Sequence, residues 1–173
     1  MKLSLFVITV FFLFSCSNKI YVVRHAEKES GIDMATMKPT TVPPLSWEGN
    51  QRALKLKEIL GSKNVKHIFS TSTLRTISTA KPLKEMYLAI PINIYSSKPD
   101  SLNAFIEKIK QIKKGDVLIV GHSNTVDDIV NKLVDKILVP GDLKDNEYDN
   151  LFILKRKGKS FSFKNEKYGV PTK

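Results

Sequence analysis

The stretch Ile20-Tyr21-Val22-Val23-Arg24-His25-Ala26-Glu27 decides how the rest of this sequence is read. Its first four residues are continuous, β-branched and aromatic, the composition of a short strand buried on both faces. An arginine and a histidine follow at once, where such a strand gives way to a loop. The same pattern recurs downstream. Val65 to Phe69, Ile92 to Tyr95 and Asp116 to Gly121 read as strands, and Val117-Leu118-Ile119-Val120 is the clearest of them.

Helical periodicity fills the intervals. Ser46 can cap a helix to about Leu60, with Ala53, Leu56, Ile59 and Leu60 on one face and Gly61 closing it. Ser70-Thr71-Ser72-Thr73 leads into a helix through roughly Tyr87, which Pro82 should end or kink. Asp100 opens a third helix with a stripe of Leu102, Phe105, Ile106 and Ile109, ending near Gly115. A fourth begins at Ser123 or Asn124 and carries Val126, Ile129, Val130, Leu133 and Val134. Ala26 to Pro44, with Gly31, Pro39, Pro43 and Pro44, reads as a loop. Asn150 to Arg156 and Ser160 to Lys164 form a closing hairpin across Lys157-Gly158-Lys159. Strands alternating with helices imply an α/β three-layer sandwich: a mainly parallel central sheet, helices on both faces and a late antiparallel strand.

Composition sets looser bounds. The chain has 173 residues, enough for one domain with its own core, and neither repeats nor low-complexity segments. The net charge is +11. Such charge suits an anionic partner, whether a phosphate ester, a nucleic acid or an acidic membrane surface. Lys55, Lys57, Lys63, Lys66, Lys108, Lys110, Lys113 and Lys114 are scattered, however, as on an ordinary solvated surface. A stacking platform of interleaved basic and aromatic residues is missing, which argues against nucleic acid. The sequence specifies no oligomeric state.

The N-terminus is more specific. Lys2 precedes Leu3 to Phe14, an apolar run of about a dozen residues. A spanning helix needs about twenty. The run ends at Ser15-Cys16, and Cys16 is the single cysteine of the chain, so no internal disulfide is possible. One reading is a buried or free thiol behind an uncleaved apolar segment. The other is a bacterial lipoprotein signal, which the stretch resembles: a small residue precedes the cysteine and Leu13 lies three residues before it. On that reading residues 1–15 are a signal peptide, 16–19 a tether lipidated at Cys16, 20–165 the folded domain and 166–173 a C-terminal tail. The protein is then expected on the bacterial envelope, lipid-anchored on the periplasmic or surface side.

Arg24-His25, the Ser70 to Arg75 segment and His122 each follow directly on a predicted strand. Ligands of parallel sheets bind beyond the C-terminal strand ends, so these segments are expected to converge. Their chemistry matches phosphoryl transfer. A neutral imidazole is a competent nucleophile near neutral pH. Arg24 and Arg75 supply charged planar forks for phosphate oxygens. His122 stands beside Gly121 near a helix N-terminus, a favourable place for an anion. Singly, each has an ordinary structural role available to it.

Together they carry a resemblance. Val22-Val23-Arg24-His25-Ala26-Glu27 resembles the signature of the histidine phosphatase superfamily, the phosphoglycerate-mutase-like group. Leu45-Ser46-Trp47-Glu48-Gly49-Asn50-Gln51-Arg52-Ala53 resembles the segment before its first large helix. Phe69 to Ala80 is similar to its second-arginine segment, and Val120-Gly121-His122-Ser123-Asn124-Thr125 to its second-histidine motif. The resemblance runs from Ile20 to roughly Leu154. It implies that His25 is phosphorylated, that Arg24, Arg75 and His122 bind the phosphoryl group, and that water then hydrolyses the phosphohistidine. The implied substrate is a small phosphorylated molecule, with no metal or cofactor. His67, in a strand away from these motifs, has no part in it.

The proton donor is less defined, because the glutamate motif of mutase-like members has no counterpart after Arg75. Asp100 is the first candidate, though a helix N-cap explains it equally well. Lys28 can pair with Glu27, and a helix dipole accounts for Asp127 and Asp128. Tyr148 and Asp149 either border the pocket or form a turn before the late strand. Small members without an obvious acid act on substrates with good leaving groups. Other readings are a phosphoglycerate mutase, a phosphohistidine-protein phosphatase and a catalytically silent anion-binding lipoprotein. Replacing Cys16 with Ser should move the protein from the membrane to the soluble fraction on cell fractionation. Unchanged attachment would make the apolar run itself the anchor.

Overall fold

The computed structural model describes residues 17–33, 36 and 38–172. The apolar run and Cys16 lie outside the described residues. Among the described residues no helix is long and apolar enough to cross a membrane. The elements run β1 (Lys19–Arg24), β2 (Ile32–Asp33), β3 (Lys38–Pro39), α1 (Trp47–Leu60), β4 (Val65–Ser70), α2 (Leu74–Met86), β5 (Ile92–Ile94), α3 (Pro99–Gln111), β6 (Asp116–Gly121), α4 (Val126–Val134), β7 (Asn150–Lys157) and β8 (Ser160–Lys167).

Six strands form one sheet in the order β5-β4-β6-β1-β7-β8. The first four are parallel; β7 joins β1 antiparallel, and β8 joins β7 antiparallel. The expected mainly parallel sheet is present, and its late antiparallel part is a pair of strands. Period-two alternation divides the core between the two faces. Ile20, Val22, Val117 and Ile119 pack with Leu102, Phe105 and Ile109 of α3 and Ile129 and Leu133 of α4. Tyr21, Val23, Leu118 and Val120 pack on the other face with Leu56 and Leu60 of α1 and Ala80 and Leu83 of α2. Helices therefore cover both faces of the sheet.

Several elements differ from the sequence reading. The loop of residues 26–44 contains the small ribbon β2–β3, in which Ile32 pairs with Pro39 and Asp33 with Lys38. Pro82 lies inside α2, which continues to Met86. Burial of Ala80 and Leu83 on either side of the proline outweighs the backbone hydrogen bond it removes. The fourth helix starts at Val126, later than expected, because Thr125 closes a turn first. Its Oγ1 accepts the His122 N–H at 2.9 Å, and its own N–H donates to the His122 carbonyl at 3.2 Å. The closing hairpin has a two-residue loop, Gly158-Lys159, and Gly158 adopts φ 62°. β8 extends through Lys167, and Tyr168 is 3% exposed, so the folded part reaches past the boundary drawn at residue 165.

β6 lies between β4 and β1, and Leu118 at its centre is fully buried. Leu118→Ala should lower the unfolding free energy by about 3 kcal/mol, measured by denaturant titration.

Candidate active site

Strand register builds the site. In the β1–β6 pair Arg24 sits opposite Gly121, so the next residues, His25 and His122, leave the sheet side by side. The His25 N–H donates to the Gly121 carbonyl at 2.8 Å and extends the ladder one step beyond β1. The two imidazole centroids are 5.5 Å apart, edge to face. On the other side of β6, Ser70 pairs with Val120, which brings Thr71 to the same level. Thr71 Oγ1 lies 2.9 Å from His122 Nε2 and 2.9 Å from Thr76 Oγ1. From the first turn of α2, Arg75 Nη2 reaches His122 Nδ1 at 3.5 Å. His25, Arg24, Arg75 and His122 therefore line one cleft of about 990 Å³ at the C-terminal end of the parallel strands.

Hydrogen bonding assigns the proton on His25. Its Nδ1 is 2.8 Å from the Ala26 carbonyl, which can only accept, so Nδ1 carries the hydrogen and Nε2 keeps its lone pair. The ring is almost fully buried, and burial pulls its pKa down to about 3. The Ala26 hydrogen bond opposes that shift, while Arg24, Arg75 and His122 reinforce it. Burial, with Arg75 and Arg24, also lowers His122 to about 4. Both rings are neutral at physiological pH. His122 accepts the contact from Arg75 at Nδ1 and so donates through Nε2 to Thr71.

The two arginines are held in different ways. Arg24 donates through Nη1 to the carbonyls of Lys144 at 2.7 Å and Asp145 at 3.2 Å, and its guanidinium lies 4.0 Å from the Tyr148 ring centroid. Arg24 Nε and Arg75 Nε are buried N–H groups with no partner among the described residues. A buried donor left unpaired costs about 1–3 kcal/mol. Two such donors beside two neutral imidazoles, in a positively charged cleft, suit a tetrahedral oxyanion.

The loop after His25 is clamped from behind. Arg52 of α1, 4% exposed, makes a two-pronged ion pair with Glu27, with Nε 2.9 Å from both carboxylate oxygens and Nη2 2.6 Å from Oε1. Its remaining N–H groups donate to the carbonyls of Tyr168 and Val170. Ser46 caps α1, accepting the Gly49 N–H through Oγ, while its own N–H donates to the Glu27 carbonyl at 3.0 Å. Gly49 faces the Glu27 backbone so closely that a Cβ would overlap it. Thr79 Oγ1 accepts the Ala26 N–H at 2.9 Å. Glu27 is thus bound to Arg52 rather than to Lys28.

The candidate acids divide. Asp100 is exposed at the second position of α3, behind Lys98 as the capping residue, and lies outside the cleft wall formed by Lys98, Pro99 and Leu102. Asp128, Asp142 and Asp145 line the cleft. Asp127 is 7% exposed and outside it. Asp149 pairs with Lys167 at 2.8 Å. No carboxylate is among the groups that set the titration of His25. Tyr148 is the principal addition to the sequence-derived site: it stacks under Arg24, and its ring centroid is 5.9 Å from that of His25. His67 is remote from the site and contacts the Lys114 carbonyl.

This geometry has relatives. The sequence model of the histidine phosphatase superfamily (branch 1) matches residues 20–96, which hold both site arginines and His25. Over these residues the chain is similar to the histidine phosphatase superfamily. No curated protein matches it. Solved structures extend the likeness over the remaining elements. The protein histidine phosphatase SixA complexed with tungstate has a TM-score of 0.65 at 14% identity, covering 86% of this chain and 96% of that one. Mycobacterial glucosyl-3-phosphoglycerate phosphatase has a TM-score of 0.60 at 13% identity, covering 89% and 99%. Phosphoglycerate mutase from Plasmodium falciparum has a TM-score of 0.58 at 17% identity, covering 91% and 93%. At these identities the shared property is the fold.

A pH prediction follows from the histidines. Unfolded histidine titrates near 6.5, whereas His25 and His122 stay neutral in the fold down to about 3 and 4. Below pH 6.5 the unfolded chain therefore binds more protons than the native one, and stability falls with falling pH. Between pH 6.5 and 5 the slope should approach two protons, about 1.4 kcal/mol per pH unit each. Denaturant unfolding across that window checks it, and His25→Asn or His122→Asn should each remove about one proton from the slope.

Proposed function

We propose that this protein is a metal-independent phosphomonoesterase that works through a phosphohistidine on His25. The observation that carries this reading is the His25 tautomer: Nδ1–H is tied to the Ala26 carbonyl, and the Nε2 lone pair belongs to a ring neutral at working pH. In the first step Nε2 forms a bond to phosphorus while the bond to the ester oxygen breaks, and the leaving group departs as its alkoxide or phenolate, which takes a proton from water. Arg24 and Arg75 hold the phosphoryl oxygens and offset the negative charge that spreads over them in the transition state. The anion raises the proton affinity of His122, so that its ring can donate to a phosphoryl oxygen. In the second step water attacks phosphorus, the P–N bond breaks, and Nε2 recovers its lone pair as inorganic phosphate departs.

The donor for the leaving group sets the substrate range. With Asp100 outside the cleft wall and no carboxylate acting on His25, the site favours esters whose leaving group departs with little protonation. Asp128 and Asp145 at the cleft edge can relay a proton through water to less activated substrates. A phosphohistidine-bearing protein is a second reading, because imidazole is itself a good leaving group. It is supported by a groove of about 1240 Å³ that shares Lys28 with the cleft, is lined by Tyr148 and displays exposed Trp47 and Val170. Anchoring through acylated Cys16 is part of the proposal and places either substrate in the cell envelope.

The chain from Ser17 onward should hydrolyse an aryl phosphate in excess chelator. His25→Ala should lower kcat at least a thousandfold and abolish the acid-labile phosphoenzyme seen on rapid quench. Robust turnover by His25→Ala would exclude the nucleophile, and activity lost in chelator but restored by metal would exclude the mechanism. Preferential turnover of a phosphohistidine peptide over aryl phosphate would select the second reading.

A further inference from the structure

The end of the sheet opposite the cleft carries charge that a phosphate site there does not use. β1 begins at this end, and its start is locked. Asn18 is 3% exposed. Its Nδ2 donates to the Ile112 carbonyl at 3.0 Å, its Oδ1 accepts from Arg156 Nε at 2.8 Å, and its carbonyl accepts the Arg156 N–H at 3.0 Å. Ser17 Oγ donates to the Arg156 carbonyl at 3.2 Å. Ser17 and Asn18 are thus fixed at this end of the sheet.

Six lysines surround that point. Lys63 lies in the α1–β4 connection, Lys66 at the start of β4, Lys113 and Lys114 just before β6, and Lys157 and Lys159 at the β7–β8 turn. Topology gathers them, because the starts of parallel strands and the end of β7 meet at one end of the sheet. Asp116 N–H donates to the Asn64 carbonyl at 2.7 Å, and His67 Nε2 contacts the Lys114 carbonyl at 3.2 Å, joining these connections into one surface. All six lysines are exposed, and none is in an ion pair among the described residues. Asp116, beside the start of β1, is 9% exposed and accepts the Lys19 N–H.

We propose that this end is a docking face for an anionic phospholipid surface, which holds the domain with its cleft directed away from the bilayer. Unpaired ammonium groups gain little in water but are each attracted to anionic headgroups across a few ångströms. A lipid surface is favoured over a nucleic acid because either proposed anchor, an acylated Cys16 or an uncleaved apolar run Leu3 to Phe14, immediately precedes Ser17 at this same end. The inference rests on the Cys16 reading only for which end meets the membrane. Attraction by the lysines does not require the acyl chain.

Both cores are built wholly of described residues, so the unacylated chain from Ser17 can be tested directly. It should sediment with vesicles of one-third phosphatidylglycerol in phosphatidylcholine, not with phosphatidylcholine alone, and 0.5 M salt should release it. Lys113→Glu with Lys114→Glu, and separately Lys157→Glu with Lys159→Glu, should each weaken partitioning about tenfold or more. Retained hydrolysis of an aryl phosphate would show that these variants fold. The same reversal at the cleft end, Lys98→Glu with Lys144→Glu, should have a much smaller effect. Binding indifferent to headgroup charge, equal effects at the two ends, or complete displacement by equimolar duplex DNA would each overturn the proposal. Release of the full-length Cys16→Ser protein from membranes is a separate outcome and reports on acylation alone.

Discussion

The site depends on the register between β1 and β6. One hydrogen bond, from the His25 N–H to the Gly121 carbonyl, marks where that register ends and the two histidines emerge together. A slip of one residue would turn His25 to the opposite face and exchange the two cores, because side chains alternate along each strand. Such a slip is resisted on both sides of the sheet. Val22 and Val23 belong to different cores, and both are fully buried. The placement of His25 is therefore fixed by hydrophobic packing, and the polar groups around it refine its protonation.

That refinement is electrostatic. Arginines on either side of buried imidazoles penalise their protonated forms, and the Ala26 carbonyl decides which nitrogen carries the single hydrogen. Burial is the larger cause of both shifts, and the arginines add to it.

Much of this was legible in the sequence because type and position coincide. That Arg24, His25 and His122 leave neighbouring strand ends could be read because continuous apolar runs such as residues 20–23 and 117–120 locate those ends sharply, and Arg75 follows one turn into the next helix. Tyr148 was harder to place. It lies between α4 and β7, where neither strand nor helix periodicity sets a direction, and its partner Arg24 is more than a hundred residues away. Thr71 looked like one of several turn hydroxyls, and only the position of His122 across the sheet gives it a task. Asp100 shows the opposite error: the correct end of the sheet does not specify the correct distance from the cleft. The late start of α4 has a local cause, because Thr125 satisfies the His122 N–H with its side chain before any helical turn can form.

The Arg52 clamp has a consequence for the order in which the domain is completed. Its guanidinium joins Glu27, two residues beyond His25, to the carbonyls of Tyr168 and Val170. During synthesis the first of these partners leaves the ribosome more than a hundred residues ahead of the last. Until then Arg52 has only part of its cage, and the loop that aims His25 is incompletely fastened. His25 is thus among the first residues of the cleft to be made, and its setting among the last to be finished.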